Sequence, residues 1–105
     1  MAGDAKGLYI SRIWGSVSVG FEQLAIEGTA KSLTAAEYGN AQKASISVET
    51  ADIRYRLDGT VPTATVGKLA ENGDEIILES AEDIKNFKAI RTGSVSAVLN
   101  IDYSV

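Results

Sequence analysis

Apolar and polar positions alternate over much of this chain, and two adjacent runs do so with strict period two. In residues 44–49, Ala44, Ile46 and Val48 alternate with Ser45, Ser47 and Glu49. After Thr50 and Ala51, Ile53, Tyr55 and Leu57 alternate with Asp52, Arg54, Arg56 and Asp58. Successive side chains of a strand point to opposite faces, so each run predicts a half-buried strand. Two connections between them fit. A two-residue turn at Thr50-Ala51 sets Val48 opposite Ile53, Ile46 opposite Tyr55 and Ala44 opposite Leu57, with all three apolar pairs on one side. Thr-Ala is poor chemistry for the positive φ of a tight hairpin turn, however, and a wider corner leading into an opposite sheet fits equally.

The rest of the chain is punctuated in the same way. Residues 1–7 read as a tail, and residues 8–19, rich in β-formers, predict two short strands or one strand bent at Gly15. Residues 21–27 predict a strand carried by Phe21, Leu24 and Ile26, and a weaker one follows over 29–33. Thr34 and Glu37 have capping-box spacing, which predicts a helical turn over 35–38 closed by Gly39 and Asn40. Asp58-Gly59 and Pro62 mark irregular chain, residues 63–69 predict a short strand, and Asn72-Gly73 a tight turn before a strand over 75–79. Ser80 and Asp83 repeat the capping pattern ahead of a short helix over 81–86, followed by a strand over 87–91. In the last run, Val95, Ala97, Leu99, Ile101, Tyr103 and Val105 alternate with Ser94, Ser96, Val98, Asn100, Asp102 and Ser104. About seven to nine short strands with regular turns predict an all-β fold: a single antiparallel β-sandwich or jelly-roll-like barrel with one or two short helical turns and an extended N-terminal segment. The expected division is a tail and arm or edge strand over 1–19 and a sandwich domain over 20–105.

Composition narrows the chemistry. The 105 residues make one domain with room for a single core. They contain no cysteine and no histidine, which removes thiol chemistry, histidine-dependent triads and the commonest metal ligands. A net charge of −4 has the wrong sign for a general nucleic-acid binder. The charge is unevenly spread: residues 71–86 carry Glu71, Asp74, Glu75, Glu79, Glu82 and Asp83 against Lys85, a net of −5. Such a stretch serves either as a solvated edge or as a docking site for a basic partner. No apolar run approaches the roughly 18 residues of a membrane span, and residues 1–7 lack the order of a secretory signal. The chain is expected to be used without export as a precursor.

Few residues stand out as chemical candidates. There is no phosphate-binding glycine loop, nucleophile elbow or EF-hand spacing. The acidic stretch offers oxygen ligands of the type that hold calcium but lacks a recognised loop spacing, and nothing marks out a carboxylate pair for glycoside hydrolysis. Arg54 and Arg56, near Glu49, Asp52 and Asp58 in sequence, are either partners in surface ion pairs or anchors at a subunit interface. Trp14, the only tryptophan, either plugs the core or anchors an interface. Tyr9, Trp14, Tyr38, Tyr55 and Tyr103 are candidates for sugar stacking, against core or edge packing as the alternative fate.

The segments VETADIRYRLDGT, PT and ATVG, followed by GDEIIL, IKNFKAIRTG and a closing strand that ends near Tyr103, resemble a recurrent class of short proteins of tailed bacteriophages. The resemblance spans about residues 33–105 and consists of strand signatures. It implies a small β-sandwich component of the virion, either a capsid decoration (cement) protein or a head-tail or tail accessory subunit. It further implies an N-terminal segment that latches onto a neighbour. The expectation is therefore a non-enzymatic structural protein that binds the major capsid protein or neighbouring virion proteins. It would act as a homo-oligomer or in many copies, with no cofactor, metal, nucleic acid or membrane. Its localisation would be the virion, after synthesis in the bacterial cytoplasm. Its interface candidates are Leu8, Tyr9, Ile13 and Trp14 in the arm, with Arg54 and Arg56 as polar anchors. The rivals are a carbohydrate-binding module that stacks sugars on aromatic side chains and a carboxylate-based hydrolase.

Overall fold

Period-two runs become strands throughout the computed structural model, which describes residues 17–105. In chain order the elements are β1 (Ser18–Ile26), β2 (Lys31–Ser32), α1 (Ala35–Tyr38), β3 (Lys43–Glu49), β4 (Ile53–Arg56), β5 (Lys68–Ala70), β6 (Glu75–Leu78), α2 (Ala81–Asn86), β7 (Lys88–Arg91) and β8 (Ala97–Ser104). They form two four-stranded antiparallel sheets, one ordered β1-β8-β3-β6 and the other β2-β7-β4-β5. The all-β sandwich expectation holds. Leu8, Tyr9, Ile13 and Trp14 lie outside the described residues. Strand β1 begins at Ser18, so the boundary expected after residue 19 falls inside a strand of the sandwich.

The core forms where the inward sides of the two sheets meet. Ile46, Val48, Leu99 and Ile101 from the first sheet pack with Ile53, Ala70 and Ala89 from the second. Ile84 of α2 and Phe87 close the same cluster. Burying each large aliphatic side chain contributes about 1.5–3 kcal/mol, which is why strict alternation in β3 and β8 dictates their register so firmly. Phe87 stacks on Tyr55 with ring centroids 5.5 Å apart.

The connection between the opening runs is the wider corner. β3 belongs to the first sheet and β4 to the second, so Val48 and Ile53 are not hairpin partners. Thr50 turns the corner with φ of 78°, an uncommon conformation for a β-branched residue. The Asn72 turn holds it in place: the Thr50 amide donates to Asn72 Oδ1 at 3.0 Å, and the Asn72 amide donates to Asp52 Oδ1 at 2.8 Å.

Other expectations change in detail. Strand β1 directs Gly20, Glu22, Leu24 and Ile26 inward and Phe21 outward, which explains its irregular apolar pattern. The strand expected over 63–69 forms only from Lys68. Before it, Val66 donates to both the carbonyl and the hydroxyl of Thr63, so the chain turns rather than extending. Strand β8 covers Ala97–Ser104, and Val105 continues the pairing by exchanging both backbone hydrogen bonds with Val17, while the side chains of Val95 and Val105 are exposed.

The two caps differ. Ser80 Oγ accepts from the Asp83 amide at 3.1 Å, as its spacing predicts. The Thr34 hydroxyl makes no capping bond, and the Thr34 amide donates instead to Glu22 Oε2 on β1, at 3.1 Å. Tyr103 Oη of β8 donates to that same oxygen at 2.5 Å. Gly20 allows α1 to seat there, since a Cβ on it would stand 2.6 Å from the Glu37 carbonyl oxygen.

Candidate functional site

Sheet membership sorts the charges. The strands of the second sheet carry Lys31, Arg54, Arg56, Lys68, Lys88 and Arg91 and not one carboxylate. The strands of the first sheet carry Glu22, Glu49, Glu75 and Asp102 against Lys43. Glu22 points inward to its bond with Tyr103; the other three carboxylates lie on the outer face. The register puts Lys31, Lys68 and Arg91 on the same parity as the inward Ala89, Tyr55 and Ile53, so the cations of the second sheet's outer face are Arg54, Arg56 and Lys88, against the three carboxylates on the outer face of the first sheet. This arrangement is invisible in the linear charge pattern, because the chain passes from one sheet to the other at every step except β4 to β5 and so interleaves the two sets of charges.

On the basic side, Arg54 and Arg56 project outward because Ile53 and Tyr55, which alternate with them, face the core. The register sets Arg56 beside Lys88, and Arg54 beside Ile90 and Leu69. Lys88 Nζ donates to Ser32 Oγ at 3.0 Å on the neighbouring strand. Arg54 is half-buried: its Nη1 donates to the Gly67 carbonyl at 3.2 Å, while its buried Nε has no hydrogen-bond partner. Arg56 pairs bidentately with Asp58, with Nε to Oδ1 at 3.1 Å and Nη2 to Oδ2 at 2.6 Å. That pairing, with the Thr60 amide, lowers the Asp58 carboxyl to about 2, and the Asp58 bond raises the Arg56 guanidinium.

Of the carboxylates near these arginines in sequence, only Asp58 is bound to either. Glu49 accepts from Asn100 Nδ2 within the first sheet, and Asp52 serves the corner. Beside Arg56 lies a shallow cleft of about 480 Å³, lined by Tyr55, Leu57, Asp58, Val66 and Lys68. Its walls are mostly apolar carbon, with cations at the rim.

The acidic stretch 71–86 is divided among three elements. Asp74 accepts from the Glu71 amide in the turn, and Glu75 accepts from Ser45 Oγ at 2.6 Å on the sheet. Glu82 and Asp83 occupy the first turn of α2. Among the described residues no group of three or more acidic side chains is placed to hold a metal ion, and no helix is long and apolar enough to cross a membrane.

The second exposed feature is β1. It is an edge strand of nine residues, and no described strand pairs with its other side. Its outer face shows Val19 at 47% and Phe21 at 58% exposure. A bulge between Ser18 and Gly20 shifts the register there. Phe21, counted with Leu24 and Ile26 as the apolar weight of this strand, faces away from them, a face not recognised from the sequence. The signal was the inward side, where Gly20, Glu22, Leu24 and Ile26 share one parity.

The described tyrosines turn toward packing. Tyr38 meets Tyr103 edge-on at 6.1 Å, and Tyr55 stacks on Phe87. Burial, and then the bond to Glu22, raise the Tyr103 phenol well above its ordinary value. No family model, curated protein or solved structure matches this chain.

Proposed function

We propose that this chain is a non-enzymatic structural protein of a tailed-phage particle, binding the capsid shell as a decoration protein and stabilising it. The strand signatures of residues 33–105 motivate the reading, and the exposed edge of β1 is the observation that carries it. A nine-residue strand at the sheet edge, with Val19 and Phe21 outward, offers both ladder hydrogen bonds and apolar area to a neighbouring protein. Residues 1–16 precede that strand directly, so an arm and an edge would act on one neighbour. The sugar-stacking reading finds less support, because Tyr38, Tyr55 and Tyr103 spend their ring faces on intramolecular packing.

The test is to purify intact particles and quantify the chain against the shell protein. Abundance comparable with the shell protein supports decoration, whereas abundance limited to a single ring places it at the head-tail junction or tail. Absence from particles refutes a virion role. Removing residues 1–15, or replacing Phe21 with Asp, is expected to reduce incorporation while leaving the sandwich folded.

A further inference from the structure

We infer that the basic outer face of the second sheet binds the acidic outer face of the first sheet on a second copy of this chain, head to tail. The basic face presents Arg54, Arg56 and Lys88 in adjacent register positions. The acidic face presents Glu49, Glu75 and Asp102, with Lys43 as its one strand cation. Each face also carries exposed apolar area. Leu69 lies beside Arg54 at 47% exposure, and Ile77 follows Glu75 at 53%. Charge complementarity with an apolar contact inside it is the pattern of an interface that selects partner and register.

A second copy fits this face better than a nucleic acid does. The chain as a whole is at −4, and the basic face offers no exposed ring for a base, since Tyr55 faces inward against Phe87. The competing anion is Asp58, which already pairs bidentately with Arg56 and would have to share it with an incoming carboxylate or be displaced. Its exposed carboxylate also extends the rim toward the cleft beside Val66 and Lys68. Because the two faces differ, the contact is heterologous: copies add in one direction and either close into a ring or continue. Such contacts would join neighbouring copies in the many-copy assembly proposed above. They need nothing of the shell, and would stand if that assembly were not a phage particle.

Charge exchange in the purified chain tests this. Wild type is expected to sediment above monomer at low salt. It should return to monomer near about 1 M salt, where the Debye length falls to about 3 Å. R56E/K88E, with its basic face reversed, and E49K/E75K, with its acidic face reversed, should each self-associate about tenfold or more weakly. Mixing the two should restore association, because each then meets an oppositely charged face. Circular dichroism verifies that the variants are folded; if one is not, the salt titration of wild type still decides. Monomeric wild type at low salt, association indifferent to salt, or no recovery on mixing each overturns the inference. So does a monomeric wild type that binds DNA through Arg56 and Lys88.

Discussion

Replacing Tyr103 with Phe probes the knot that joins β1, β8 and the start of α1. The phenol is fully buried and donates to Glu22 Oε2, which also accepts from the Thr34 amide. A hydrogen bond to a charged group contributes about 1.5–3 kcal/mol. The Thr34 amide remains as a partner for Glu22, so the lower end, about 1.5 kcal/mol, is expected for the loss. The same geometry predicts a distinctive pH dependence. Burial first, then the Glu22 bond and charge, push the phenol above its ordinary value near 10. In the unfolded chain it ionises near that value, while in the folded chain it stays protonated. The folded state thus holds one more proton above about pH 10, and stability present below that pH is lost as pH rises, by about 1.4 kcal/mol per unit. Groups common to both chains cancel in the difference. Urea denaturation followed by circular dichroism should show wild type ahead by about 1.5 kcal/mol at neutral pH, level near pH 11, and behind the Phe variant beyond it. A difference that stays constant from about pH 9 to 11.5 would refute the placement of this phenol as a buried donor.

Four further outcomes follow from local geometry. Gly20→Ala puts a methyl 2.6 Å from the Glu37 carbonyl oxygen, a backbone atom, and should cost about 1–3 kcal/mol in thermal or chemical denaturation. Ser80→Ala removes a capping bond and should cost about 1 kcal/mol, while Thr34→Ala, whose hydroxyl caps nothing, should change stability by less than about 0.5 kcal/mol. Thr50→Gly relieves a left-handed β-branched residue and should stabilise by up to about 1 kcal/mol, whereas Asn72→Ala, which deprives the Thr50 amide of its acceptor, should cost about 0.5–1.5 kcal/mol; the two melting shifts should have opposite signs. Phe21→Asp should cost no more than about 1 kcal/mol of stability, because the ring is largely in solvent, and a loss of several times that would place Phe21 in the core.

Alternation by itself determined the class of fold and most of the strands. Buried positions in β3 and β8 recur every second residue, and a slip by one would expose all of them, so periodicity encodes both element and register. The α2 cap was equally legible, because Ser80 and the Asp83 amide lie within one turn. Where signals require partners distant in sequence, they were not legible. The Thr34 amide found a carboxylate, but that of Glu22 from β1 rather than Glu37 from its own turn. Phe21 carries apolar weight in any local count, yet the neighbours that bury Ile26 lie on other strands and leave Phe21 in solvent. Arg54 and Arg56 were legible as a pair on the polar face of one strand. Their grouping with Lys88 on the outer face of a sheet whose strands carry no carboxylate was not, and neither was the collection of Glu49, Glu75 and Asp102 on the outer face of the other. Chain order fixes which residues face outward from a strand, but the corner at Thr50 decides which sheet the strand joins. That choice, made by long-range packing and by the Asn72 turn, separates the charges onto opposite sides of the molecule.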